Sequence, residues 1–279
     1  MTPVFDAQCF GSQIRAVSGL FGFHSVFENS LNLILLDSDE QNQLFPLLLT
    51  LTHGDADHQE YLIVLKKEVF FQCKERIDES TVFTLSCGVL SSSELTIRLP
   101  EHALWQSDRL VKQVFSETQV QLIESLLKAR IGEIQQPMWH EAYQKIMNQF
   151  LIYQQNKDIK SLEQMLGLGI GLTPSGDDFL LGLFAALQAN EVSGTKALMQ
   201  QIVKKSLKAT TTISQHYLHT AAKGFFSGSL IEFNRLDQQT NEAEVTRCLF
   251  NILRKGATSG LDTALGYFSG ITGLVIRSF

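Results

Sequence analysis

The chain has no CxxC pair and no dense cysteine framework: Cys9, Cys73, Cys87 and Cys248 are scattered along 279 residues. Isolated thiols argue for a reducing compartment and against a disulfide scaffold. No apolar run approaches the ~20 residues that a membrane span needs. The opening Met1-Thr2-Pro3-Val4-Phe5-Asp6 lacks the basic-then-apolar pattern of a secretory leader. No Lys/Arg block stands out and the net charge is −6, which disfavours nucleic acid or an anionic membrane as partner. Low-complexity segments and solenoid-length repeats are also missing. These absences together predict a cytoplasmic protein.

What is present is a globular composition, 44% hydrophobic and 19% charged, long enough for one large or two ordinary domains. From Gln13 to about Leu99 the pattern is β. Short segments with β-branched or aromatic content run Ser25–Phe27, Leu31–Leu36, Leu44–Leu51, Tyr61–Leu65, Glu68–Phe71, Val82–Leu85 and Leu95–Leu99. Turn formers such as Asp37-Ser38-Asp39 and Ser91-Ser92-Ser93 separate several of them, and the spacing suggests a small sandwich or barrel. Asn29 and Asn32 flank an apolar run, where strand-end hydrogen bonding is the expected role. His53-Gly54-Asp55-Ala56-Asp57-His58 has metal-ligand residue types, but turn formers between two apolar runs predict a hairpin loop.

Beyond Pro100 the period becomes helical. Ser116-Glu117-Thr118-Gln119 matches a capping box, followed by the stripe Val120, Ile123, Leu127, Ile131. Trp139, Tyr143, Ile146 and Phe150 make the next stripe, which predicts core. Ser161–Leu166 reads as a short helix or turn, Lys196–Lys208 and Thr210–Lys223 as helices, Leu230–Asn234 as a connection and Asn241–Lys255 as a helix stopped by Gly256. His216 and His219 can share a helix face, but no third ligand is spaced with them. The expected architecture is α+β: a β-rich domain over 1–105 and an α-helical domain over 106–279.

The helical part is organised around Gly167-Leu168-Gly169-Ile170-Gly171-Leu172-Thr173-Pro174-Ser175-Gly176-Asp177-Asp178, followed by the apolar run Phe179–Leu187. Thr173 reads as an N-cap and Pro174 as the first helical residue. A glycine-rich loop entering a helix N-terminus is a ready anion site. The apolar helix behind it is predicted to be buried. The pattern returns at Ser259-Gly260-Leu261-Asp262-Thr263-Ala264-Leu265-Gly266-Tyr267-Phe268, which aligns with Ser175–Phe184. Asp178 matches Asp262 and Gly182 matches Gly266, while Asp177 has no counterpart. The repeat predicts two helices packed through their glycines, with both N-termini converging on one site. Ser175, Gly176, Ser259 and Gly260 would offer backbone N–H donors, with Gly171, Thr173, Thr211 and Ser214 adding to the wall. Valine at Gly176 or Gly260 is expected to block a ligand while sparing the fold. Asp177, Asp178 and Asp262 would repel an anion. They therefore either cap backbone groups, or one acts as a general base or metal ligand; Asp177 and Asp178 are the candidate catalytic residues, and the structural role is favoured for Asp262.

The Gly169-Ile170-Gly171-Leu172-Thr173-Pro174-Ser175-Gly176-Asp177-Asp178 motif resembles a family long catalogued as a domain of unknown function, which includes the AllH-type subunit of oxamate carbamoyltransferase. Thr211-x-x-Ser214 and Thr258-Ser259-Gly260-x-Asp262 resemble its weaker downstream motifs. The resemblance covers roughly the C-terminal half. It implies FdrA-type and AllG-type partner subunits and carbamoyl transfer between oxalurate and phosphate, giving oxamate and carbamoyl phosphate in allantoin and purine breakdown. The implied ligand is an anionic small molecule: carbamoyl phosphate, phosphate or oxalurate. No cofactor is implied. Two other classes fit the residues: a Mg-assisted phosphoryl or acyl-phosphate enzyme with Asp177 and Asp178 as ligands, and a non-catalytic anion-binding assembly subunit.

Overall fold

A computed structural model describes residues 2–38 and 45–276. Its chain divides into two compact units, one of residues 1–108 with 225–228, the other of residues 109–224 with 229–279. The described residues are α+β: strands lie in the first unit and nine of ten α-helices follow residue 116.

Among the described residues the first unit holds one ten-stranded mixed sheet. In chain order the strands are β1 (Val4–Asp6), β2 (Cys9–Gly11), β3 (Gly19–Val26), β4 (Ser30–Ser38), β5 (Leu48–His53), β6 (Leu62–Leu65), β7 (Val82–Ser86), β8 (Val89–Ser91), β9 (Thr96–Arg98) and β10 (Leu104–Trp105). Their order across the sheet is β1-β9-β8-β7-β3-β4-β5-β6-β2-β10. β1 and β2 pair with strands far apart in that order, yet only Ala7 and Gln8 separate them. Ala7 N–H donates to Arg98 (2.9 Å) and Gln8 N–H to Val64 (2.8 Å). The segment 4–11 therefore bonds to β9 and to β6, and the sheet curls round to meet it. Phe21, Leu31, Leu33, Leu51, Ile63 and Phe83 fill the inside.

Three local expectations change here. Glu68–Phe71 is part of a helix, α1 (Lys67–Arg76), not a strand. Its buried positions, Phe70 and Cys73, with Ile77 just beyond, recur at helical spacing once the window is widened past four residues. The 53–58 segment joins β5 to β6, which pair in parallel, so it is a crossover and not a hairpin. His53 packs on Phe70 and Phe71 (centroids 4.9 and 5.4 Å), and His58 stacks on Trp105 (5.7 Å). The expected Leu44–Leu51 strand begins at Leu48 within the described residues, and Leu44 lies outside them. Asn32 and Asn29 serve strand pairing: Asn32 Nδ2 donates to Ser25 Oγ (3.0 Å), Thr50 Oγ1 donates to Asn32 Oδ1 (2.7 Å), and Thr52 Oγ1 donates to the Asn29 carbonyl (2.7 Å).

The second unit is helical: α2 (Glu117–Glu133), α3 (Pro137–Asn156), α4 (Ile159–Glu163), α5 (Ser175–Ala189), α6 (Thr195–Ser206), α7 (Thr212–Ala222), α8 (Gly228–Asn234), α9 (Glu242–Leu253) and α10 (Ser259–Thr272). The capping box at Ser116 forms, with Gln119 N–H donating to Ser116 Oγ (3.3 Å) and Ser116 N–H to Gln119 Oε1 (3.0 Å). Trp139, Tyr143, Ile146 and Phe150 are buried along α3, as their spacing predicts. α8 replaces the expected connection. Glycine, β-branched and aromatic residues make it a weak helix by propensity. It is held by buried Leu230, Ile231 and Phe233 and by Asn234, which bonds Val111 through both amide atoms (2.7 and 2.9 Å) and donates to Tyr267 Oη (2.8 Å). Among the described residues no helix is long and apolar enough to cross a membrane.

Candidate functional site

α5 and α10 form the centre of the helical unit, and their packing follows from glycine. A Cβ on Gly182 would sit 2.0 Å from the Thr263 carbonyl oxygen, and one on Gly266 would sit 2.0 Å from that of Phe179. Thr263 and Phe179 are themselves matching positions of the repeat, so each helix meets the other in the same way. The entries match too. Gly176 N–H donates to Leu168 (2.8 Å) and Leu168 N–H to Met165 (3.0 Å). Gly260 N–H donates to Lys255 (2.9 Å) and Lys255 N–H to Ile252 (3.0 Å). A Cβ on Gly176 would lie 1.9 Å from the Met165 oxygen, and on Gly260 2.1 Å from the Ile252 oxygen. The connection from Leu168 to Gly176 is eight positions, that from Lys255 to Gly260 five. The three extra residues belong to the glycine loop, where Gly169 (φ 112°) and Gly171 (φ 95°) take conformations that other residues rarely adopt.

These contacts correct three readings of the sequence. Pro174, with φ −53° and ψ 143°, is the N-cap of α5 and Ser175 its first helical residue, so Thr173 lies one position outside the helix. The N–H groups of Gly176 and Gly260 are already taken by backbone carbonyls and are not donors to a ligand. Valine at either glycine would collide with backbone oxygen, so such a change disrupts packing before it reaches any ligand.

The first turns of the two helices are brought together. Thr173 and Ser259 share a hydroxyl–hydroxyl hydrogen bond of 2.7 Å. Ser259 and Thr173 face Asp178, while Ser175 and Thr258 face Asp262. Each aspartate is thus met by its own helix entry and by the first serine of the other helix. Trp139 Nε1 also donates to Asp262, 3.0 Å to Oδ1 and 3.3 Å to Oδ2. Asp178 Oδ2 is buried without a hydrogen bond. An unmade bond of this kind costs about 1–3 kcal/mol, more for a charged group. Asp177, Asp178 and Asp262 are 2%, 7% and 2% exposed, whereas Thr173, Thr258 and Ser259 are half-buried. The carboxyls therefore lie buried beneath partly exposed hydroxyls.

Burial raises all three carboxyl pKa values. Asp262 is pushed up to about 7, desolvation outweighing its bonds from Ser175, Trp139 and Thr258. Asp178 is raised well above the ordinary carboxyl value by desolvation and then by the Asp262 charge. The groups that oppose these shifts are hydroxyls, an indole N–H and, for Asp177, a backbone N–H; none is a cation.

Asp177 faces a different set of groups. Its Oδ1 accepts the Gly167 N–H (3.0 Å) and its Oδ2 the Thr210 hydroxyl, with the Ser214 hydroxyl facing the carboxyl without completing a bond. Thr211 caps α7 by accepting Ser214 N–H (3.2 Å) and donates to the Leu172 carbonyl (2.6 Å). Thr211, Ser214 and Asp177 thus tie the glycine loop to α7. Gly171 stands on the exposed loop with open space around its Cα. Trp139 and Thr210 went unnoticed in the sequence as polar partners. A buried indole needs an acceptor, and that need was the available signal for Trp139. At the other end of α5 and α10 a cavity of about 430 Å³ is lined by Lys112, Gln113, Phe115, Asn190, Ile271 and Thr272. Among the described residues no three His, Cys, Asp or Glu side chains converge to hold a metal ion.

The fold and site define an α+β chain whose helical unit buries paired acids beneath hydroxyls at two helix entries. Residues 165–271 match the family model described as oxamate carbamoyltransferase subunit AllH, as the glycine-rich motif led us to expect. The matched stretch runs from Met165 to Ile271 and takes in the glycine loop, α5, Thr211, Ser214 and the second copy on α10. No solved structure matches the chain.

Proposed function

We propose that this chain acts as one subunit of a carbamoyltransferase assembled with FdrA-type and AllG-type subunits, and that the cradle between α5 and α10 holds part of the small substrate. The observation that carries the reading is the coincidence of the family match with the paired helix entries, because the matched residues contain both copies. The reaction joins a phosphate oxygen to the carbamoyl carbon of oxalurate and breaks that carbon's bond to the oxamate nitrogen, which takes up a proton. Its tetrahedral centre places charge on the former carbonyl oxygen, which preorganised donors stabilise. Thr173, Ser259 and the first-turn N–H groups of Ser175 and Ser259 are donors of suitable kind at the two helix entries, since first-turn N–H groups have no intrahelical acceptor. Asp178, biased by burial toward its protonated form, suits proton delivery to the departing nitrogen. Gly171, Thr211, Ser214 and Asp177 shape the loop above the cradle.

The test is reconstitution. Carbamoyl phosphate formation from oxalurate and phosphate is expected when the purified chain is mixed with both partner subunits, and not from the chain alone. Full turnover by the single chain would remove the need for partners. Absence of stimulation by the chain would reject the reading.

A further inference from the structure

The two copies of the repeat differ in one polar contact. Asp262 receives the neutral N–H of Trp139 in addition to the hydroxyls of Ser175 and Thr258. Asp178 has the hydroxyls of Ser259 and Thr173 facing it, but nothing donates to its Oδ2. Those two hydroxyls are bonded to each other. The second copy shows what completes such a carboxyl, a neutral N–H donor, and the first copy lacks it. We propose that Asp178 is the ligand-facing acid of the pair and that its Oδ2 receives an N–H of a small primary amide, in the role that Trp139 Nε1 plays at Asp262.

An anion is a poor occupant beside Asp178, whose carboxyl already meets the charge of Asp262 and, more weakly, that of Asp177. Trp139 shows that the matching carboxyl is satisfied by an uncharged donor. A primary amide also carries a carbonyl oxygen, which the Thr173 or Ser259 hydroxyl can meet by turning from its neighbour. Oδ2 is closed from solvent, so a small molecule would reach it where the half-buried Thr173 and Ser259 hydroxyls part. The carboxyl of Asp178, pushed toward its neutral form by burial, loses little by facing an uncharged group. The inference deepens the proposed function, on which it rests for the choice of oxamate as probe.

Titration calorimetry on the full chain with oxamate, oxalate and phosphate tests it. Oxalate has oxamate's size with a carboxylate in place of the amide. Oxamate is expected to bind at least about tenfold more tightly than oxalate or phosphate. Asp178→Leu, which keeps the size and removes both oxygens, is expected to abolish the preference. If that variant does not fold, carboxyl carbon NMR of the wild-type chain serves instead: oxamate, and not oxalate, should shift an aspartate resonance that Asp178→Asn removes. Equal or tighter oxalate binding, oxamate binding unchanged in folded Asp178→Leu, no such shift, or no oxamate binding to the folded chain would each overturn the proposal. Carbamoyl transfer without amide-selective binding would overturn this inference and leave the proposed function standing. Amide-selective binding without transfer would do the reverse.

Discussion

Gly182 and Gly266 lie against each other's helices reciprocally, each with room for hydrogen and none for a methyl group: a Cβ on either would come within 2.0 Å of a carbonyl oxygen on the opposite helix. Alanine at Gly182 gains up to about 1 kcal/mol of helix propensity. It also forces α5 and α10 apart, a strain that typically costs about 1–3 kcal/mol and more where backbone must move. Gly182→Ala and Gly266→Ala are each expected to destabilise the chain, read as a lower denaturation midpoint in urea. An unchanged midpoint in either would mean that the helices are not in backbone contact.

Asp262 sets a pH dependence whose sign follows from its raised pKa. Its folded value is about 7 against an ordinary 3.8. The folded state therefore holds a proton that the unfolded chain releases across that interval. This contribution is fully present below about pH 3.8 and is lost as pH rises through about 7. Asp262→Asn should accordingly gain stability relative to wild type between pH 4.5 and 7, with a constant difference above pH 8. Thermal midpoints of the two proteins across that range check the slope.

His219 works in the opposite direction. Burial, and then Lys223, lower its pKa from 6.5 to about 4. The unfolded chain binds the proton first, so stability is lost as pH falls from about 6.5 toward 4. His219→Gln should remove that acid loss, and midpoints at pH 4.5 and 7.5 measure it.

Removing the Trp139 donor leaves Asp262 short of a partner. Trp139→Phe should lower stability by about 1–3 kcal/mol or more, from the lost bond together with lost packing. The loss should be larger at pH 8, where Asp262 is charged, than at pH 5. A pH-independent loss would show that the indole contributes packing alone.

Asp177 tethers the glycine loop through Gly167 and Thr210, and Asp177→Ala would leave both donors unmet. About 1–3 kcal/mol of destabilisation is expected, with faster proteolysis between residues 167 and 173. Asp177→Asn keeps one acceptor, so it should lose less stability and leave turnover in the reconstituted complex close to normal. A large rate loss at unchanged stability would instead assign Asp177 to the chemistry.

Much of this protein was determined by sequence alone. Strong local signals carried it: the capping box at Ser116, the Trp139–Phe150 stripe, and the apolar helix behind the glycine motif. The copy at Ser259 announced the α5–α10 pair because matched glycines and aspartates at helical spacing put the same small and acidic faces on both helices. Tertiary structure decided what local pattern left open. Residues 68–71 became helix because Phe70 and Cys73 both reach the sheet interior from one helical face. α8 formed because Asn234 and Phe233 found partners distant in sequence. The aspartates were separated in the same way. Asp177, Asp178 and Asp262 share one residue type, but Gly167 and Thr210 satisfy the first, Trp139 the third, and nothing satisfies Oδ2 of the second. A hydrogen bond depends on which atoms meet in space, and those meetings join residues 10, 33 and 123 positions apart.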